Sequence, residues 1–368
     1  MPQLSKDSVL EALRTVQDPD LRKDLVTLGM IQDLEVSSDT IAFRVVLTTP
    51  ACPLKAKIEA DCRAAVSALP GVREVKIKMD AQVRGRAQNV GAQAQGTIPG
   101  VANIIAVSSG KGGVGKSTVA VNLATALALE GARVGLMDAD VYGPNVPTMM
   151  GVTEQPKIVQ KNNVEMFIPP VAHGVKVMSM GFLIPADQPL VWRGPMLHSV
   201  VNQFCHQVDW GTLDYLIVDM PPGTGDIQLS LAQLVPVTGA VLVTTPQEVS
   251  IQDVRKAYAM FEKVRVPVVG FVENMSWFKC DGCEKKHFLF GSEGGKLLAK
   301  KFNSEVLAQL PVQPTVREGG DIGRPVVAAH PESEVAVGMR ELARKVAQKI
   351  SVLSAEPGPE LIQIGRFN

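Results

Sequence analysis

The chain has 368 residues, with 37 Lys+Arg against 37 Asp+Glu, 46% hydrophobic residues and 20% charged ones. That length carries two or three domains and a full core, and the composition excludes wholesale disorder. A formal net charge of zero gives no general attraction to nucleic acid or anionic lipid, so neither is expected as a partner. Five cysteines, an odd number spread over a long chain, argue against a secreted disulfide framework. Met1–Leu13 lacks the apolar core of a signal peptide, and no run approaches the ~18 apolar residues of a membrane span. These features point to the cytoplasm.

In chain order, the first unit, residues 1–83, reads as small and α+β. Ser8 and Glu11 have capping-box spacing, followed by Val9, Leu10, Leu13 and Val16 at helical intervals. Ile31–Val36 and Thr40–Thr48 read as strands joined by Ser37-Ser38-Asp39. Pro53 opens a second helix with Leu54, Ile58, Ala65 and Leu69 as its buried stripe, and Val72–Met79 alternates as a last strand. Residues 84–100, RGRAQNVGAQAQGTIPG, have no acidic residue, no aromatic and no apolar period. They read as a linker.

From 101 to 352 the pattern changes to short apolar strands alternating with helices. Val101–Val107, Arg133–Asp138, Tyr215–Asp219, Ala240–Thr244 and Val268–Val272 are the strand candidates. The fold class is therefore α/β, a doubly wound and mostly parallel sheet preceded by the small α+β domain. Met339, Leu342, Val346 and Ile350 mark a closing helix, and 353–368 reads as an irregular tail.

Gly110-Lys111-Gly112-Gly113-Val114-Gly115-Lys116-Ser117, with Thr118 next, fits G-x-x-x-x-G-K-[ST] after a buried strand and before a helix. Glycines let the backbone N–H groups turn inward onto phosphate oxygens, and the helix N-terminus adds positive potential. Lys116 is placed for the β- and γ-phosphates of ATP, and the Ser117 hydroxyl for Mg²⁺. Asp138-Ala139-Asp140 and Asp219 close two strands at their carboxyl ends, where ligands gather in such sheets. Asp219 is the expected Mg²⁺-side carboxylate and Asp140 the residue that positions the attacking water. Gly223 and Gly225 leave the loop after Asp219 free to respond to the γ-phosphate.

Cys280-Asp281-Gly282-Cys283 is a C-x-x-C. Alone it fits half a zinc ribbon, a redox dithiol, half a cluster site or an ordinary loop. No second C-x-x-C occurs, so four thiolates there require two chains, as a symmetric dimer can provide. Cys62 and Cys205 read as small core residues. Cys52 precedes a helix N-terminus, a place that lowers a thiol's pKa and exposes it.

VSSGKGGVGKST, DADVYGPNVP, DMPPGTGD, TTPQEVSIQDVRK and ENMSWFKCDGCEKKHFLFGSEGG resemble the Mrp/ApbC family of iron–sulfur cluster carrier ATPases, within the MinD/ParA-like class. The resemblance implies that Lys111, the early lysine of a deviant Walker A loop, reaches across a homodimer to the partner's nucleotide. It implies that Asn274 contacts the adenine. It also implies that Cys280 and Cys283 hold a labile [4Fe–4S] cluster at the dimer interface, received from upstream scaffold proteins and passed to client apo-proteins. DPDL and LTTPACPL make the small domain similar to the SufT/PaaD-like metal–sulfur cluster assembly domain, with Cys52 at the position of that family's cysteine. The competing classes are a partitioning or positioning switch ATPase of the MinD/ParA kind, a redox ATPase resembling the nitrogenase iron protein, and a zinc-bridged scaffold without catalysis. The tail SVLSAEPGPELIQIGRFN is a poor amphipathic anchor, and a switch ATPase leaves the C-x-x-C unexplained.

Overall fold

Runs of Val, Ile and Ala too apolar to face water on either side become the inner strands of a sheet covered on both faces. In the computed structural model, which describes residues 4–85, 97–161, 163–183, 194–280 and 282–355, the chain divides into two units. One is the first 84 residues with the end of the closing helix from Ala347; the other is the remainder up to Val346. The segment read as a linker and the segment read as a tail lie largely outside the described residues.

In the small unit, helix α1 (Lys6–Leu13) is capped by Ser5, not Ser8. Ser8 serves as the reciprocal partner of a Ser5/Ser8 capping box: its hydroxyl accepts from the Ser5 N–H at 3.1 Å. A serine three residues on closes the box as a glutamate does, so the helix starts one turn earlier than Glu11 suggests. Strands β1 (Ile31–Val36) and β2 (Thr40–Leu47) pair antiparallel, and β3 (Glu74–Ala81) joins β2 in parallel. Helix α2 (Lys55–Ser67) buries Ile58, Cys62 and Val66 at intervals of four. Of the expected stripe Ile58 is buried, while Leu54, Ala65 and Leu69 only flank this core. Burial pushes the Cys62 thiol up to about 12, the behaviour of a small apolar core residue.

The large unit contains β4 (Val101–Ser109), α3 (Lys116–Leu129), β5 (Val134–Asp138), β6 (Val171–Ala172), β7 (Val175–Ser179), α4 (Gly194–His206), β8 (Leu213–Asp219), α5 (Asp226–Leu234), β9 (Gly239–Thr244), α6 (Glu248–Lys263), β10 (Val268–Glu273), β11 (Phe278–Lys279), β12 (Lys286–His287), α7 (Gly294–Lys301), β13 (Val306–Gln309), α8 (Pro314–Asp321) and α9 (Glu334–Ala355). Its eight-stranded sheet has the order β6-β7-β5-β8-β4-β9-β10-β13. Every pairing is parallel except β6 with β7. From β4 the chain winds first toward β5 and later toward β9, so β4 lies at the topological switch point where such sheets bind ligands. The doubly wound, mostly parallel architecture expected from the sequence is the one observed.

Helix α3 is buried almost all round, from Val119 through Leu127. Its Asn122 side chain accepts from the backbone N–H of Val327, in the short helix Val326–Ala329. Below the sheet, Trp210 and Phe204 are wholly buried, and the Trp210 indole N–H donates to the Phe204 carbonyl at 3.0 Å. Cys205 shares this core, and burial pushes its thiol to about 12. The helix expected from Gln252 begins at Glu248, and the closing helix runs to Ala355, beyond the start of the expected tail.

Candidate functional site

The loop 110–115 joins the switch-point strand β4 to α3, so the first N–H groups of a 14-residue helix face the carboxyl end of the sheet. Gly115, the N-cap, has φ +84°, in the left-handed region that favours glycine. A side chain there would also collide with the Asn274 amide. That amide donates from Nδ2 to the Val114 carbonyl at 2.9 Å, pinning the loop to the end of β10.

Lys116 turns inward and is only 6% exposed. Its Nζ lies 2.6 Å from Asp219 Oδ1, 3.4 Å from Asp140 Oδ2 and 3.2 Å from Ser117 Oγ. Strands β5 and β8 are adjacent, with Asp138 opposite Asp219, so both acidic strand ends arrive at one point. Asp219 is fully buried, and its Oδ2 has no hydrogen-bond partner. Burial raises its pKa against the opposing pull of Lys116. Asp138 is held by Ser179 Oγ at 2.8 Å and by the N–H groups of Asp140 and Val146. Burial and the charge of Asp219 push its carboxyl up to about 8. A buried carboxylate oxygen without a donor, beside a hydroxyl and a second carboxylate, is a donor set of the kind a divalent cation takes. The residues expected to hold Mg²⁺ thus fit it.

Lys111 is half-buried, with Nζ 3.5 Å from Gln247 Oε1. Gln247 also accepts from Thr245 Oγ1 at 3.2 Å. Beside the loop, a cavity of about 550 Å³ is lined by Gly115, Thr118, Asn274, Met275, Phe290 and Gln313 among others, within the size range of small-ligand clefts.

The cysteine pair occupies the end of a two-stranded hairpin. β11 and β12 pair antiparallel, and the Cys280 N–H donates to the Lys285 carbonyl at 3.1 Å. Cys280 is half-buried and Cys283 exposed. Lys286 lies 4.1 Å over the Trp277 ring and 2.9 Å from Glu334, which anchors the returning strand. Phe288 and Leu289 stand exposed just beyond it, and His287 is exposed.

Cys52 departs from expectation. It is half-buried, and its thiol lies above the ordinary value. Burial is the main cause and prevails over the N–H groups of Leu54 and Lys55, with the charges of Asp18 and Asp20 adding to it. The helix begins at Lys55 without a side-chain cap, and burial of the thiol prevails over the helix-terminus effect. Alkylation followed cysteine by cysteine by mass spectrometry at pH 7.5 should therefore modify Cys283 well before Cys52. The reverse order would contradict this account.

A family model described as NUBPL iron-transfer P-loop NTPase matches residues 100–347, and one described as iron–sulfur cluster assembly protein matches 6–78. The chain belongs to the NUBPL iron-transfer P-loop NTPase family. Among similar proteins, the "Iron-sulfur cluster carrier protein" of Synechocystis is 52% identical over 95% of this chain and 99% of its own length. Its namesake in Deinococcus radiodurans is 50% identical over 97% and 99%. A chloroplastic Fe-S cluster assembly factor of Oryza sativa is 45% identical over 94% of this chain and 64% of its own. A nucleotide-binding protein of Archaeoglobus fulgidus, solved with ADP, is 36% identical and covers 64% of this chain and 91% of its own, with a TM-score of 0.56. The family expected from the motifs is thus shown: this NTPase is a member of a group of iron–sulfur cluster carrier and assembly proteins. Among the described residues, no helix is long and apolar enough to cross a membrane.

What sequence reasoning missed at the site is Gln247, the contact of Lys111, and the second wall of the cavity, Phe290 and Gln313. Gln247 and Phe290 each had a signal, in the TTPQEVS and HFLFGSEGG parts of the blocks quoted for the resemblance; Gln313 had none.

Proposed function

We propose that this NTPase is an ATP-hydrolysing carrier that takes up a [4Fe–4S] cluster between the Cys280/Cys283 pairs of two chains and delivers it to apo-proteins. The observation that carries the reading is the hairpin: it presents a half-buried and an exposed thiol at the end of the unit that holds the P-loop. Each chain offers two thiols there, and four need a second copy. The Synechocystis and Deinococcus relatives named as carriers support it.

On the nucleotide side, Lys116 and the inward N–H groups of the loop neutralise charge on the transferring phosphoryl group. Lys111 leaves Gln247 to reach the partner's nucleotide, and Asp140 orients the attacking water. Ser117 and Asp219 hold Mg²⁺, which supplies further charge neutralisation when bound. Asn274 faces the adenine. Cys52 belongs to the proposal as a weaker cluster or metal contact of the small unit. The cytoplasm is the proposed location, and residues 84–100 the proposed linker.

Anaerobic reconstitution with iron and sulfide tests this. Wild type should take up about two iron and two sulfide per chain as a dimer, with [4Fe–4S] absorption. Cys280→Ser should lose the cluster and keep ADP binding. Uptake of zinc alone, or a protein that dimerises with ATP and stays metal-free, would replace the carrier by a scaffold or a switch.

A further inference from the structure

The cavity beside the P-loop and the cysteine hairpin share walls. Met275, five residues before Cys280, and Phe290, seven residues after Cys283, both line the cavity. They lie on the two feet of one hairpin. The leading foot is stitched to the segment 309–312, because Leu310 N–H donates to the Glu273 carbonyl, Ser276 N–H to Leu310, and Val312 N–H to Trp277. Pro311 and Val312 of that segment also line the cavity.

Both feet are rooted in one buried carboxylate. Glu273, 1% exposed, accepts from Ser276 Oγ and Gln309 Nε2, each at 2.8 Å, and from the Gly295 N–H at the start of α7. Met275 follows this root in a left-handed conformation, φ +55°, costly for a residue with a side chain. Beyond the feet, the described residues of the hairpin carry a two-residue ladder, the Cys280 and Glu284 backbone bonds, the Lys279–Glu284 ion pair and the Lys286 contacts. A fixed root and two cavity-facing side chains on the element that carries the cysteines tie the cavity wall to the place of the thiols.

We propose that the base of a bound nucleotide, lodged against Asn274 between Met275 and Phe290, sets the position of Cys280 and Cys283. The inference rests on the nucleotide reading above, and it places control in the base cavity rather than in the phosphate loop. A ligand shifts such an equilibrium only by its unequal affinity for the two positions, and the effect is reciprocal. Metal at the cysteines therefore changes ADP affinity by the same factor that ADP changes metal affinity.

The test compares MgADP with magnesium tripolyphosphate, which has the phosphates and no base. The reduced full-length chain is saturated with each, as checked by equilibrium dialysis, and the rate of Cys283 alkylation by iodoacetamide is read by mass spectrometry. ADP should change that rate about fivefold or more, and tripolyphosphate less than about twofold. Phe290→Ala, held at ADP saturation, should lose the ADP effect, and Phe290→Tyr should retain it. Equal effects of both ligands would move the control to the phosphate loop and overturn the proposal. So would bound ADP that leaves the rate unchanged. A chain that binds no ADP in dialysis refutes the nucleotide reading itself, and this inference with it. The readout needs no cluster, so failed reconstitution does not enter.

Discussion

Lys116→Ala should abolish detectable ADP binding and also destabilise the large unit by about 3–5 kcal/mol, the usual result of removing one partner from a buried ion pair. The second effect follows from burial. Lys116 and Asp219 are 6% and 0% exposed, and Asp219 Oδ2 already lacks a donor. Without the ammonium, an anion stays buried with no cation, and it responds by holding a proton. Its pKa already lies above 3.8 in the native chain, so the variant's would rise further. A carboxyl with a raised native pKa binds its proton more tightly folded than unfolded. The variant should therefore regain stability as pH falls from its native pKa toward 3.8 and lose it as pH rises. Lys116→Ala with Asp219→Asn should recover most of the urea midpoint and none of the ADP binding. If Lys116→Ala loses binding at an unchanged midpoint, the ion pair is not part of the fold.

The second large effect separates two glycines of the same loop, Gly110 at a fixed position of the motif and Gly112 at a free one. A Cβ on Gly110 would run into the backbone of Asp253 and Val254 in α6, where no side chain can step aside. Gly110→Ala should cost about 3 kcal/mol, the upper range for overpacking, and displace the loop. Gly112 meets nothing within 4 Å and is not among the positive-φ glycines. Gly112→Ala should change the thermal midpoint by the equivalent of about 0.5 kcal/mol or less. Equal effects at both positions would mean that the loop, not its packing on α6, sets the requirement for glycine.

That contrast shows what a single sequence carries. Motif spacing identifies the P-loop because backbone geometry at a phosphate is local: Gly115 and Lys116 need only their neighbours. The central strands were legible for a similar reason, since only a sheet covered on both faces tolerates such continuous apolar runs. Strand β7 was not read, because VKVMS carries a lysine and its burial comes from β5 alongside. Strand β13 hid likewise, as a four-residue run beside β10. Cys52 misled because its helix start was visible but its burial was not; Asp18 and Asp20, over thirty residues away, add to that burial through space.

The burial of α3 also bears on how the protein is made. The nucleotide-binding helix is encoded in the first third of the chain, yet Val327 supplies the N–H that Asn122 accepts and its short helix covers the outer side of α3. A ribosome would expose Lys116–Leu129 some two hundred residues before that cover exists. During that interval a helix that ends up buried almost all round has one side open to water and to other nascent chains. The P-loop helix is thus among the first parts of this unit to be synthesised, and its packing is finished only once the chain has passed Val327.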